Sequence, residues 1–202
     1  KFLVARRLMY WQVYLHKTVL SAENMLMRIL SRAKELALQG TVLPCSNSLR
    51  IFLYEKINKG DFKTRNDLLD SFSQLDDYDV LGAIKQWMNS GDFVLSKLST
   101  QLVNRNLLKI KLQKNPFTEL EINKLVSEVA AKNKISLDEA KYFVFSKSID
   151  NRAYINDKFG INLLYKDGSV KDIASAADLL NISALAEPVI KYFFCYPKGR
   201  GI

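Results

Sequence analysis

Three side chains near the amino end have the types and the spacing to hold a phosphorylated sugar. Arg6, Tyr10 and Tyr14 stand at i, i+4 and i+8, which on an α-helix sets them along one face, one turn apart. A guanidinium is a planar fork that matches a pair of phosphate oxygens. A tyrosine ring can floor a sugar or a base while its hydroxyl reaches a ribose oxygen. A face of this kind can take a triphosphate at one end and a nucleoside at the other. The same spacing also suits two core tyrosines and a surface arginine, and spacing alone leaves both readings open. His16 and Lys17 follow about half a turn on and point elsewhere.

These residues need a helix to carry them. Residues 2–38 contain neither Gly nor Pro, and Gly40 follows as a C-cap. One helix of about 35 residues is expected there, about 50 Å long. Its apolar residues, among them Leu8, Trp11, Leu15, Leu20, Met25 and Ile29, surround it rather than keep to one stripe. Such a helix is covered on several sides by its own domain or by another subunit. Shorter helical patterns follow: Leu49 to Ile57, a stretch after the cap-like Thr64-x-x-Asp67, Val80 to Met88 behind Asp76-Asp77-Tyr78-Asp79, and Phe93 to Leu102 behind Asp92.

The period changes after Asn106. Leu108 to Leu112 alternates strictly, a strand signature. Thr118-x-x-Glu121 and Ser136-x-x-Glu139 are capping boxes that should open helices. Tyr142 to Phe145, Ile161 to Tyr165 and Val189 to Phe194 read as strands, with a turn at Lys166-Asp167-Gly168-Ser169 and a helix over 172–180. The expected fold is α+β, with a helical segment at 1–106 holding one long central helix. An α+β lobe, ferredoxin-like in outline, follows at 107–202, its helices on one face of a small sheet.

The charge balance is +9, from 30 Lys and Arg against 21 Asp and Glu, and it favours polyanionic partners such as nucleotides or nucleic acid. The basic residues gather in the first 39 positions, where Lys17, Arg28, Arg32 and Lys34 are included, and again at Arg105, Lys109, Lys111 and Lys114. No apolar run approaches the ~20 residues of a bilayer span, so no membrane role is expected. Cys45 and Cys195 have no CxxC spacing and read as free thiols of a cytoplasmic protein. The acidic cluster Asp70, Asp76, Asp77 and Asp79 lacks calcium-loop spacing and reads as helix capping. Tyr192-Phe193-Phe194 with Lys191 suits base stacking or strand packing, the latter being favoured.

The run Arg6-Arg7-Leu8-Met9-Tyr10-Trp11-Gln12-Val13-Tyr14-Leu15-His16-Lys17, followed by Ala22-Glu23-x-Met25-Leu26, resembles the HD-domain phosphohydrolases. These include bacterial relatives of the mammalian sterile-alpha-motif and HD-domain dNTP triphosphohydrolase. Asp76-Asp77-Tyr78-Asp79 with Trp87, Lys166 to Val170, and Lys191 to Lys198 extend the resemblance over most of the chain. By resemblance, Arg6 is the phosphate-contacting arginine and Tyr14 packs on the substrate sugar. Tyr10 stands where the mammalian member has His, and Leu15 where it has a substrate-contacting Gln. His16 and Lys17 match residues that line a regulatory nucleotide site between subunits.

The family's His…His-Asp…Asp metal site activates water for attack on the α-phosphate. This chain has one His, His16. It is therefore expected to be the carboxy-terminal part of a larger enzyme and catalytically dead alone. The divalent metal (Mg, Mn, Fe or similar) is expected in the amino-terminal HD region. The resemblance also implies a homodimer or homotetramer. The alternative is a non-catalytic module that binds nucleotide or single-stranded nucleic acid, or that only oligomerises.

Overall fold

The run that opens the chain is cut in two in the computed structural model, which describes residue 5 and residues 8–151, 161–172 and 189–199. Tyr10–Tyr14 form a π-helical turn, closed by the Leu15 N–H on the Tyr10 carbonyl at 2.7 Å. Helix α1, Lys17–Leu38, starts only after His16. His16 has extended backbone (φ −65°, ψ 140°), and its Nδ1 accepts from the Thr18 N–H at 3.3 Å. The expected single helix is thus corrected to a π turn, a break and a 22-residue helix. Neither Gly nor Pro marks the break. A helix start leaves orphan N–H groups, and an imidazole nitrogen here satisfies one of them.

The helical patterns that follow form as short helices: α2 Asn47–Tyr54, capped by Ser46, then α3 Asn66–Gln74, α4 Asp77–Trp87 and α5 Phe93–Val103. Asp76 and Asp79 complete a reciprocal capping box on α4, and Asp92 accepts from the Leu95 N–H at 2.8 Å on α5. Thr64 does not cap α3, which follows a 3-10 turn at Asp61–Lys63; Arg65 precedes it and bridges Glu55 and Asp67 instead. Beyond β1, Lys109–Gln113, both expected capping boxes form and open α6 Glu119–Asn133 and α7 Leu137–Ala140. Tyr142 and Phe143 continue the turn after α7, so β2 begins only at Phe145 and runs to Asn151. The helix expected at 172–180 lies, from residue 173 on, outside the described residues.

The main sheet has the order β1-β5-β2, all antiparallel, with β5, Val189–Tyr196, in the middle. Asn162–Leu164 (β3) and Val170–Asp172 (β4) form a separate hairpin. The architecture is α+β as expected: the lobe's α6 covers one face of the sheet, and the helical region covers the other. Opposed residues in a ladder share a face, and the register pairs Ile110 and Phe145 with Cys195, and Leu112 with Phe193. That face joins the large core of Met25, Ile29, Ile84, Trp87, Leu95 and Leu98. The other face sets Phe194 and its neighbours Tyr192 and Tyr196 against Phe117, Val126 and Val129 beside α6. The large core therefore runs continuously across residue 106.

Charged side chains tie α1 to what surrounds it. The Arg28 guanidinium lies 3.9 Å over the Phe145 ring and donates to the Lys141 carbonyl at 2.9 Å. Arg32 forks onto Asp92 at 3.1 and 2.6 Å and reaches Glu35 at 2.9 Å, while the Tyr142 hydroxyl donates to Glu35 at 2.7 Å.

Candidate functional site

The π turn and the first turn of α1 place the sequence-derived candidates on adjoining surfaces. Tyr10 and Tyr14 meet edge to face, with ring centroids 5.3 Å apart and planes at 63°. Tyr14 remains half exposed. A π turn adds a residue per hydrogen-bonded ring, so the two rings are held together without stacking in a straight α-helical column. Arg6 lies outside the described residues, so its place in the trio is not on view. His16 is exposed and serves α1 as its cap.

Lys17 leads to a second feature. A cavity of about 380 Å³ opens beside it, lined by Lys17, Thr18 and Ser21 of α1, Arg105 and Lys109 from the α5-to-β1 crossing, and Lys198 beyond β5. Four cations and two hydroxyls converge from three stretches of chain, and no carboxylate is in the lining. The floor is fixed by the Ser21 hydroxyl donating to the Leu108 carbonyl at 2.8 Å and by the Leu108 N–H on the Met25 sulfur at 3.4 Å. Lys198 also donates to the Asn106 side-chain oxygen at 3.3 Å. Arg105 sits at a left-handed backbone position, φ 55°, where a glycine or asparagine is usual at a helix end. That turn brings Asn106 back onto the Gln101 carbonyl at 2.8 Å and starts the chain toward β1. Among the described residues these four cations have no carboxylate partner, and cations around a concave, hydroxyl-bearing wall have the chemistry to hold a phosphate group.

Sequence reasoning singled out Lys17 and, separately, the basic stretch holding Arg105 and Lys109. It did not join them, and it missed Thr18 and Ser21. The two stretches lie more than 80 residues apart, and only the packing of β1 on α1 brings them together. Phe193 and Phe194 are 2 % and 7 % exposed, so the aromatic run in β5 packs in the cores and offers no base-stacking platform. The donor set does not fit the divalent-metal site of the HD class. The chain has a single His, and among the described residues no three His, Cys, Asp or Glu side chains gather. Among those residues, too, no helix is long and apolar enough to cross a membrane.

Comparison with known proteins finds solved structures and a curated relative that resemble this chain. The crystal structure of a phosphohydrolase from Bacteroides thetaiotaomicron superposes with a TM-score of 0.86 at 47% sequence identity, over 98% of this chain and 49% of that one. The uncharacterized protein YwfO of Bacillus subtilis is 27% identical over 183 residues, 86% of this chain and 39% of YwfO. The chain thus spans half or less of the length of these relatives. No family model matches it. The chain shares its fold and nearly half its residues with a segment of the Bacteroides phosphohydrolase.

Proposed function

We propose that this chain is part of a nucleotide phosphohydrolase of the HD class acting on deoxynucleoside triphosphates, and that it supplies one wall of the substrate pocket. The observation that carries this reading is the 47% identity to a solved phosphohydrolase along nearly the whole chain. In this reading Arg6 engages a phosphate, Tyr14 packs on the sugar with its hydroxyl reaching a ribose oxygen, and Tyr10 braces Tyr14 through their edge-to-face contact. The basic cavity at Lys17, Arg105, Lys109 and Lys198 takes the phosphates of a second, regulatory nucleotide, with His16, the residue before Lys17, assigned to the same nucleotide. The metal would supply an activated water. Its ligands belong to residues outside this chain, whose own part is to bind and orient the nucleotide.

The test is nucleoside and triphosphate release from a dNTP panel with Mg²⁺ or Mn²⁺, in a longer polypeptide matching the full length of the phosphohydrolase relative. Turnover that falls at least tenfold in Tyr14→Phe and Arg6→Ala supports the pocket wall. A folded, metal-loaded protein with no turnover on any dNTP sinks the enzyme reading and leaves a binding module. The chain alone tests the cavity. A dNTP should raise its melting temperature, and Lys17→Ala with Lys109→Ala should abolish that rise. Single-stranded DNA bound more tightly than a dNTP, with steep salt dependence, would favour the nucleic-acid module.

A further inference from the structure

The donor set of the basic cavity decides which part of a ligand it can read. Its polar lining is Lys17, Thr18, Ser21, Arg105, Lys109 and Lys198, and the rest of the wall is aliphatic. Among the described residues no aromatic ring, side-chain amide or carboxylate lines it. A base is held by a stacking ring and by hydrogen bonds matched to its edge, and a sugar hydroxyl by an acidic side chain. The wall has none of these parts. What it has is charge. Lys17, Arg105 and Lys109 have no carboxylate partner among the described residues, and Lys198 donates to the neutral Asn106 amide. A lysine is a compact point charge with rotatable donors, not a planar fork with a register to match. Lys17 and Thr18 also stand in the first turn of α1, where the helix dipole adds positive potential. Each phosphate of a chain carries at least one negative charge at neutral pH. A triphosphate therefore comes near to balancing the four cations, whereas a single phosphate leaves most of them uncompensated.

We propose that this cavity is a receptor for a triphosphate chain alone, blind to base and sugar, so that inorganic tripolyphosphate binds there as tightly as any dNTP. This rests on the reading of the cavity as a site for nucleotide phosphates, and it names what that site recognises. It also ties the cavity to the product of the reaction. Attack of water on the α-phosphate of a dNTP releases the nucleoside and tripolyphosphate. The released tripolyphosphate then competes with the regulatory nucleotide for the same four cations. The cavity thereby responds to the sum of triphosphates around it and not to which base they carry.

The test is titration calorimetry of the 202-residue chain with sodium tripolyphosphate, the four dNTPs, deoxyadenosine and orthophosphate, with circular dichroism as a check on folding. Tripolyphosphate and the dNTPs should bind within about threefold of one another, and orthophosphate about tenfold or more weakly. Tripolyphosphate should displace bound dATP, and deoxyadenosine should not displace tripolyphosphate. Lys17→Ala with Lys109→Ala should weaken tripolyphosphate and dATP by the same factor, about tenfold or more. Lys85→Ala removes a like charge from α4, outside the cavity, and should leave both affinities unchanged. A dNTP held about tenfold more tightly than tripolyphosphate, with the excess lost in the double variant, means that the cavity reads the nucleoside. That overturns the proposal and leaves the nucleotide site standing. Orthophosphate bound as tightly as tripolyphosphate overturns it too. So does an affinity that Lys85→Ala lowers as much as the double variant, since net charge alone would then explain binding. If neither tripolyphosphate nor a dNTP binds, both the proposal and the regulatory site fall, while turnover in the longer polypeptide still tests the enzyme reading.

Discussion

Arg105 shows what a single residue is held to do. At φ 55° it occupies backbone space that costs a non-glycine residue about 1 kcal/mol, and its side chain lines the basic cavity. Arg105→Gly should therefore raise unfolding free energy by about 0.5 kcal/mol while weakening dNTP binding. Urea denaturation and a ligand titration on the same variant check the two halves, and a loss of stability would refute the strain. The thiols differ in a similarly local way. Burial pushes the Cys195 thiol up to about 12, against the opposing pull of the nearby Arg28 and Lys147 charges. Cys45 is also raised by burial but is partly exposed. A thiol reagent at pH 8 should label Cys45 roughly two orders of magnitude faster than Cys195 in the native protein. Equal rates would count against the buried site. At this scale the sequence showed residue types and spacing well. Tyr10 and Tyr14 do meet, because residues four apart stay neighbours even through a π turn. The partners of Lys17 were hidden, because nothing local to Lys17 encodes a lysine or arginine brought in by β1 or β5.

Among the elements, α1 is fastened to α5 and to the turn before β2 by one polar network. The Asp92 carboxyl is pushed up by burial, but the Arg32 fork and the Leu95 N–H outweigh that and hold it below the usual carboxylate range. The Tyr142 hydroxyl and Arg32 hold Glu35 below its own. A carboxyl depressed in the folded state adds stability that is complete above its unfolded value, about 4, and lost as pH falls through the folded value. Acid should therefore loosen this junction below about pH 4. Asp92→Asn keeps an N-cap oxygen and should cost about 2 kcal/mol at pH 7 through the broken, partly buried ion pair with Arg32, and should flatten the loss on acidification. Urea midpoints at pH 7 and pH 3 test both; a variant as acid-sensitive as the wild type would refute the assignment. Capping was the part of element structure most open to sequence reading. The boxes at Thr118 and Ser136 formed, and the acidic run at Asp76 caps its helix as read, because each is decided within four residues. The break at His16 was not open to it, since neither Gly nor Pro marks it and the cap is an imidazole. Thr64 misled for the converse reason: Arg65 found Glu55 and Asp67, and α3 started without a side-chain cap.

For the molecule as a whole, the central strand decides cooperativity. Phe193 and Cys195 extend the core of the helical region, and Phe194 the core under α6. Phe193→Ala should cost about 3–5 kcal/mol and lower the transition seen by tryptophan fluorescence together with that seen by far-ultraviolet dichroism. Two separated transitions would mean that the cores melt independently. The α+β class was legible from the switch of hydrophobic period near residue 107. The position of β5 was not, because a strand buried on both faces carries no alternation that says which strands flank it. That position bears on how the polypeptide is made. Among the described residues β1 and β2 pair only with β5, which is translated about 40 residues after β2 and 75 after β1. During synthesis both strands leave the ribosome with open edges and must wait for residues 189–196. A nascent chain stalled before that point presents two unpaired β edges to its neighbours, a natural substrate for chaperones and a seed for aggregation.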